Sequence, residues 1–228
     1  PGHYRGQRPV FEHGNYHRYY GYRGEDRRLA AVADKLGSDV FAGREVLDIG
    51  CNSGAVALAV RRAFGARRVV GVDIDADLIK AADASLESHE AVSEDGGGVE
   101  FRAEDFLSSP LKRNGSETPE RFDAILLLSV TKWVHFAAGD SGMRKLFRRC
   151  EKRLRPGGLL VLEPQNWDTY KKKRHLTPEI RETVAGIEMR PEAFGEYLEG
   201  LGFENVGTIE PPSDKPKGFQ RFIRLFRK

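Results

Sequence analysis

The sequence predicts an α/β domain built on an open, mostly parallel sheet of seven strands, with helices on both faces and an antiparallel strand at one end. Three observations carry that expectation. A short aliphatic run breaks directly into a glycine turn over residues 45–54, Glu-Val-Leu-Asp-Ile-Gly-Cys-Asn-Ser-Gly. A second run, Arg-Val-Val-Gly-Val-Asp at 68–73, ends in a carboxylate about 20 residues after that turn. Residues 122–128 and 159–163 are apolar almost throughout, as strands covered on both faces are.

The elements follow in order. Residues 25–36 space Leu29, Val32, Ala33 and Leu36 as a helix does, with Gly37 as its cap. Val46, Leu47 and Ile49 make a run too short for a helix, so 45–49 is the first strand and 55–64 the helix beyond the turn. The second strand, 68–73, leads to a helix over 76–91, and a loop at 93–98 leads to a short third strand at 99–102. A polar loop at 110–120 precedes the central fourth strand, 122–128. A basic amphipathic helix over 144–155 buries Met143, Leu146, Phe147, Cys150 and Leu154, and Pro156-Gly157-Gly158 turns it into the fifth strand. The last helix is 191–201, and strands at 203–209 and 219–226, joined by a proline-rich loop, close the sheet.

Composition narrows the function classes. With 37 Lys and Arg against 34 Asp and Glu, the net charge of +3 is too mild to argue alone for a polyanionic partner. Its distribution says more. Lys171, Lys172, Lys173 and Arg174 fall in a stretch without pattern and are read as substrate-facing, whereas the bases of 144–155 are read as the solvated face of their helix. Residues 11–23, which include Arg18, Tyr19, Tyr20 and Arg23, are dense in aromatics and bases. They are expected to fold as a lid on a cofactor, as a stacking and phosphate-binding surface, or as an arm packed on the core. Two cysteines give neither a disulfide framework nor a metal site, and no run approaches the ~20 apolar residues of a membrane span. The organisation expected is therefore an arm at 1–24 over one domain at 25–228, monomeric, without metal, DNA or membrane.

A strand, a glycine turn and a helix N-terminus form a cradle into which backbone N–H groups point. Asp73, at the end of the second strand, is placed to accept hydrogen bonds from ribose hydroxyls. Dinucleotides and S-adenosylmethionine both use that device. Asn52 stands where a dinucleotide loop wants its middle glycine, and Asp48 would repel a pyrophosphate but offset the cationic aminoacyl end of S-adenosylmethionine. After the third strand, Asp105 can accept from adenine's exocyclic amine while Phe106 covers the ring. At the exit of the fourth strand, Lys132 and His135 would stand beside the sulfonium methyl if S-adenosylmethionine is the ligand. Lysine suits phosphate as a point charge and histidine serves as donor or base; the alternative is that Trp133 and Phe136 anchor the segment and both polar groups are solvated.

The 46–52 block, Val-Leu-Asp-Ile-Gly-Cys-Asn, resembles motif I of the class I, Rossmann-like methyltransferases. Four further blocks stand in one order with it: Gly14-Asn15-Tyr16 through Arg23, Leu128-Ser129-Val130-Thr131-Lys132-Trp133-Val134-His135, Leu162-Glu163-Pro164-Gln165, and Lys217-Gly218-Phe219-Gln220-Arg221. Together they resemble the Bicoid-interacting type of RNA methyltransferase over nearly the whole chain. The resemblance implies S-adenosylmethionine-dependent methylation of the γ-phosphate of a 5′-triphosphate RNA, capping a small nuclear RNA in the nucleus. Carried over by position, cofactor contacts fall on Tyr20, Arg28, Gly50, Cys51, Asn52, Asp73, Ile74, Asp105, Phe106 and Leu128. Lys132, His135 and Arg221 surround the terminal phosphate, and Lys217 and Phe219 join the RNA contacts together with possible ribonucleoprotein partners. Other readings remain open at this point: a 5′-monophosphate enzyme of the same family, a small-molecule methyltransferase, a catalytically silent RNA-binding module, and a cytoplasmic site of action.

Overall fold

The computed structural model describes residues 27–87, 97–111, 116, 118–211 and 220–228. Among them, seven strands form one sheet in the order β3-β2-β1-β4-β5-β7-β6, with β1 Glu45–Ile49, β2 Arg68–Asp73, β3 Gly98–Ala103, β4 Phe122–Leu128, β5 Leu154–Glu163, β6 Glu204–Ile209 and β7 Ile223–Arg227. The first five strands pair in parallel, and β7 runs antiparallel to both β5 and β6. The last strand in sequence is thus the antiparallel one, inserted one place in from the edge.

Burial explains the strand compositions. Alternate residues of each strand face opposite ways. Val46, Val69, Ala124, Leu126 and Val161 pack with α1 (Arg28–Leu36), α2 (Ala55–Ala63) and α3 (Ala76–Glu87) on one face. Leu47, Ile49, Val70, Ile125, Leu127 and Leu160 pack on the other with α4 (Thr131–Arg153) and, after a 3-10 turn at Pro191–Ala193, α7 (Phe194–Gly200). The stripe of Met143, Leu146, Phe147, Cys150 and Leu154 is fully buried there, as its spacing predicts.

Three helices differ from expectation. Helix α4 starts at Thr131 and carries a break at Gly139 (φ 57°, ψ −161°), a conformation glycine accepts at little cost. The stretch around Lys171, read as unpatterned, and residues 178–185, for which no element was expected, form two short helices, α5 (Trp167–Lys173) and α6 (Pro178–Ala185), which bury Tyr170, Ile180 and Val184 against Trp133 and Phe136 of α4. None of the described helices is long and apolar enough to cross a membrane.

The sheet order reverses direction between β1 and β4, since β2 and β3 lie on one side of β1 and β5 on the far side of β4. Crevices of open α/β sheets form at that reversal, beyond the carboxyl ends of the strands.

Candidate active site

A cleft opens there, lined by Ile49, Gly50 and Asn52 after β1, Asp73 and Ile74 after β2, Asp105 and Phe106 after β3, and Leu128, Ser129 and Val130 after β4. Trp133, Val134 and Ala137 of α4 form its wall. The loop after β1 is shaped by backbone. Gly50 has φ +77°, and a Cβ on it would stand 2.5 Å from Val130 Cγ2, so only glycine leaves the cleft open. Asn52 adopts φ 53° and donates its backbone N–H to Asp73 Oδ2 at 2.9 Å, while the other carboxylate oxygen accepts from the backbone of Asp75 at 3.0 Å. Burial pushes the Asp73 carboxyl up, against those two N–H groups.

At the β3 end, Asp105 accepts from the Leu107 backbone N–H at 2.9 Å and from the Ser108 hydroxyl at 2.7 Å. Phe106 is buried, with the Arg149 guanidinium 5.2 Å from its ring centre.

A second group of side chains gathers at the exits of β4 and β5. Glu163, 1% exposed, accepts from Arg28 at 2.7 Å and from the Ser129 hydroxyl at 3.3 Å, and lies 3.5 Å from Arg221. Arg221 also donates to Ser129 Oγ at 2.7 Å. Ser129 holds the left-handed φ of 66°, which turns the chain from β4 into α4 beneath this cluster. Gln165 fixes the turn from the other side, accepting from the Lys132 backbone N–H and the Thr131 hydroxyl, both at 3.1 Å, and donating to the Ser129 carbonyl. The Lys132 ammonium lies 4.7 Å from the Trp133 ring centre. Burial and the neighbouring positive charges of Arg221 and Lys173 push its pKa down to about 7.

The structure thus brings seven sequence-expected cofactor residues to one cleft: Gly50, Asn52, Asp73, Ile74, Asp105, Phe106 and Leu128. Three others lie off it. The Cys51 side chain is fully buried in the core cluster under α2, Asp48 is buried within β1, and Arg28 is spent on Glu163. Lys132 and Arg221 converge as expected, and Lys171, Lys172, Lys173 and Arg174 are exposed on and after α5. Tyr20, Arg18, Tyr19, Arg23, Lys217 and Phe219, with the arm at 1–24, lie outside the described residues.

His135 is a correction. Expected beside the methyl, its side chain is fully buried, with Nε2 2.9 Å from Asp140 Oδ1 and Nδ1 3.4 Å from the Tyr170 hydroxyl. The reason is helical phase: Trp133, Val134 and Ala137 line the cleft, which turns His135 and Phe136 onto Tyr170 of α5. Glu163, Gln165 and Ser129 were missed as site residues. Glu163 carried the same signal as Asp73, a carboxylate ending a buried strand.

Comparison with known proteins supplies the context for this geometry. Residues 122–228 match the family described as Bicoid-interacting protein 3 (Bin3), and residues 46–158 match a methyltransferase domain. The U6 snRNA methylphosphate capping enzyme Amus of Drosophila melanogaster is 38% identical over 96% of this chain and 75% of its own length. The 7SK snRNA methylphosphate capping enzyme of Homo sapiens is 33% identical over 99% of this chain, which spans 40% of that protein's length. Among solved structures, the N-methyltransferase NodS of Bradyrhizobium japonicum WM9 in complex with S-adenosyl-L-homocysteine is 20% identical, covers 89% of this chain and 85% of its own, and superposes with a TM-score of 0.63. That likeness establishes the fold, a class I methyltransferase sheet.

Proposed function

This chain belongs to the Bicoid-interacting protein 3 family, and from that premise we propose that it is an S-adenosylmethionine-dependent RNA 5′-end methyltransferase acting on the γ-phosphate of a 5′-triphosphate RNA. The observation that carries the reading is the pairing of a nucleoside-shaped cleft with a cationic corner. Lys132 is held in apolar surroundings, where burial and the nearby charges of Arg221 and Lys173 push its pKa down, and an anion bound beside it would favour its charged form. A terminal phosphate is such an anion.

The residues fit the cofactor. Gly50 keeps the cleft clear, Asp73 offers carboxylate oxygens at the end of β2, and Asp105 and Phe106 stand at the end of β3. When bound, S-adenosylmethionine supplies an electrophilic methyl group. The chain's own work is then placement. A phosphate oxygen is already anionic near neutral pH, so no strong general base is needed, only alignment and charge screening. Lys132 and Arg221 hold the phosphate, the Ser129 turn fixes Arg221 from below, and Trp133 walls off water. That division agrees with the burial of His135, which has no free nitrogen to offer the phosphate. The names of the relatives, enzymes of small nuclear RNAs, further support a nuclear site of action.

The test is transfer of label from S-adenosylmethionine to three RNAs of one sequence bearing a 5′-triphosphate, a 5′-monophosphate or a 5′-hydroxyl. Label on the triphosphate RNA alone is the expected result. Preference for the monophosphate would move the reading to the other substrate of the family, and equal labelling of the 5′-hydroxyl RNA would refute it.

A further inference from the structure

The buried polar chain that begins at His135 is unused by the chemistry above. Asp140 opens the second half of α4, just past the break at Gly139, and its carboxylate takes the His135 Nε2 proton on one oxygen and the backbone N–H groups of Glu188 and Met189, at 3.2 and 3.0 Å, on the other. A carboxylate is acceptor only, so it fixes the imidazole proton on Nε2 and leaves Nδ1 bare. The Tyr170 hydroxyl donates to Nδ1, and the two rings meet edge to face at 5.6 Å and 87°. Tyr170 is fully buried in the middle of α5, the helix that carries Lys171, Lys172 and Lys173 on its surface. At the head of α4 the Thr131 hydroxyl donates to the same Gln165 oxygen that receives the Lys132 backbone N–H. Hydrogen bonds thus run from the break in α4 to Tyr170 of α5, and α4 itself carries that placement back to Lys132 in its first turn.

We infer that Asp140, His135 and Tyr170 form a positioning unit that sets the lysine-bearing helix α5 and the Lys132 turn in one fixed relation, so that both meet the RNA 5′ end together. The inference rests on the proposed RNA activity for its kinetic consequence, and on geometry alone for its structural one. Tyr170→Phe removes a single oxygen and keeps the ring in its apolar cluster, which makes it a gentler probe than His135→Gln. In Tyr170→Phe the amides of residues 167–173 should exchange with solvent at least about tenfold faster, with the urea midpoint of global unfolding nearly unchanged. Turnover on RNA should fall about ten- to a hundredfold, the cost of a misplaced reacting group, while S-adenosylmethionine affinity stays as in the parent. The double variant His135→Gln/Tyr170→Phe should lose no more than the worse single variant, because the two residues act as one unit.

Unchanged exchange in α5, or additive losses in the double variant, would overturn the inference, as would a fall in turnover that merely follows the loss of global stability. If the parent protein methylates none of the RNAs, the proposed function fails, and the exchange measurement still decides the positioning role.

Discussion

The two ends of the cleft are built in opposite ways. The half proposed to take the cofactor is local and made largely of backbone: Gly50 and Asn52 in left-handed turns, and Asp73 braced by the N–H groups of Asn52 and Asp75. The cluster beside it, proposed to meet the phosphate, is made of side chains drawn from distant segments. Arg28 reaches Glu163 across 135 positions, Arg221 reaches Ser129 across 92, and Ser129 meets Glu163 across 34. A turn is fixed once its few residues fold, whereas a cluster of this kind exists only after the whole sheet has closed. The cofactor half should therefore fail by shape, and the phosphate half by charge.

Variants that break one half and spare the other test that contrast. Gly50→Arg should have the largest effect. A side chain at φ +77° and its overlap with Val130 together cost about 2–6 kcal/mol, enough to abolish S-adenosylmethionine binding in calorimetry while RNA affinity persists. Retained cofactor affinity would mean that the cleft is not its site. Glu163→Ala breaks the other half, leaving Arg28 and Arg221 buried without their shared carboxylate. Loss of one partner of a buried ion pair costs about 3–5 kcal/mol, read as a lower urea midpoint. An unfolding free energy within about 1 kcal/mol of the parent's, roughly the mean effect of ordinary substitutions, would show that the cluster does not hold the fold together.

Lys132→Ala should follow, lowering kcat/KM for RNA about ten- to a hundredfold through loss of about 1.5–3 kcal/mol of charged hydrogen bonding, with cofactor affinity untouched. The pH dependence has a definite sign. The pKa of Lys132 is lowered to about 7, so the ammonium is present below that pH and lost as pH rises through it. RNA kcat/KM should decline on the alkaline side of neutrality in the parent, and Lys132→Arg should flatten that limb. A decline that persists in Lys132→Arg would assign it to another group. The smallest effect is expected from replacing Lys171, Lys172 and Lys173 with alanine, since all three are exposed. The salt dependence of RNA binding should become shallower by about 2 in log–log slope, and an unaltered slope would return these lysines to the solvated surface.

The same contrast governs what could be read from the sequence. The β1 turn, the Asp73 carboxylate and the buried stripe of α4 are written in neighbouring residues, and each was legible. Glu163 ends a buried strand as Asp73 does, yet its partners Arg28 and Arg221 sit in segments that only the sheet order brings together. His135 was misplaced for a subtler reason. Its side of α4 depends on where the helix starts, and a start at Thr131 turns it away from the cleft. The short helices α5 and α6 were missed because their lengths of 7 and 8 residues give too few turns for periodicity, although Thr177 capping the Ile180 N–H, with Pro178 at the first position, marked the second.

The central claim is that placement and charge, without proton removal, carry methyl transfer to a phosphate oxygen. It is tested most directly by where the methyl lands. Triphosphate RNA labelled by the parent protein should be digested to nucleotides and the 5′ end isolated and weighed. The account expects the label on a terminal phosphate that resists phosphatase, with His135→Gln slower but yielding the same product. Label on a ribose hydroxyl or an exocyclic base amine, groups that must lose a proton in accepting a methyl, would contradict it.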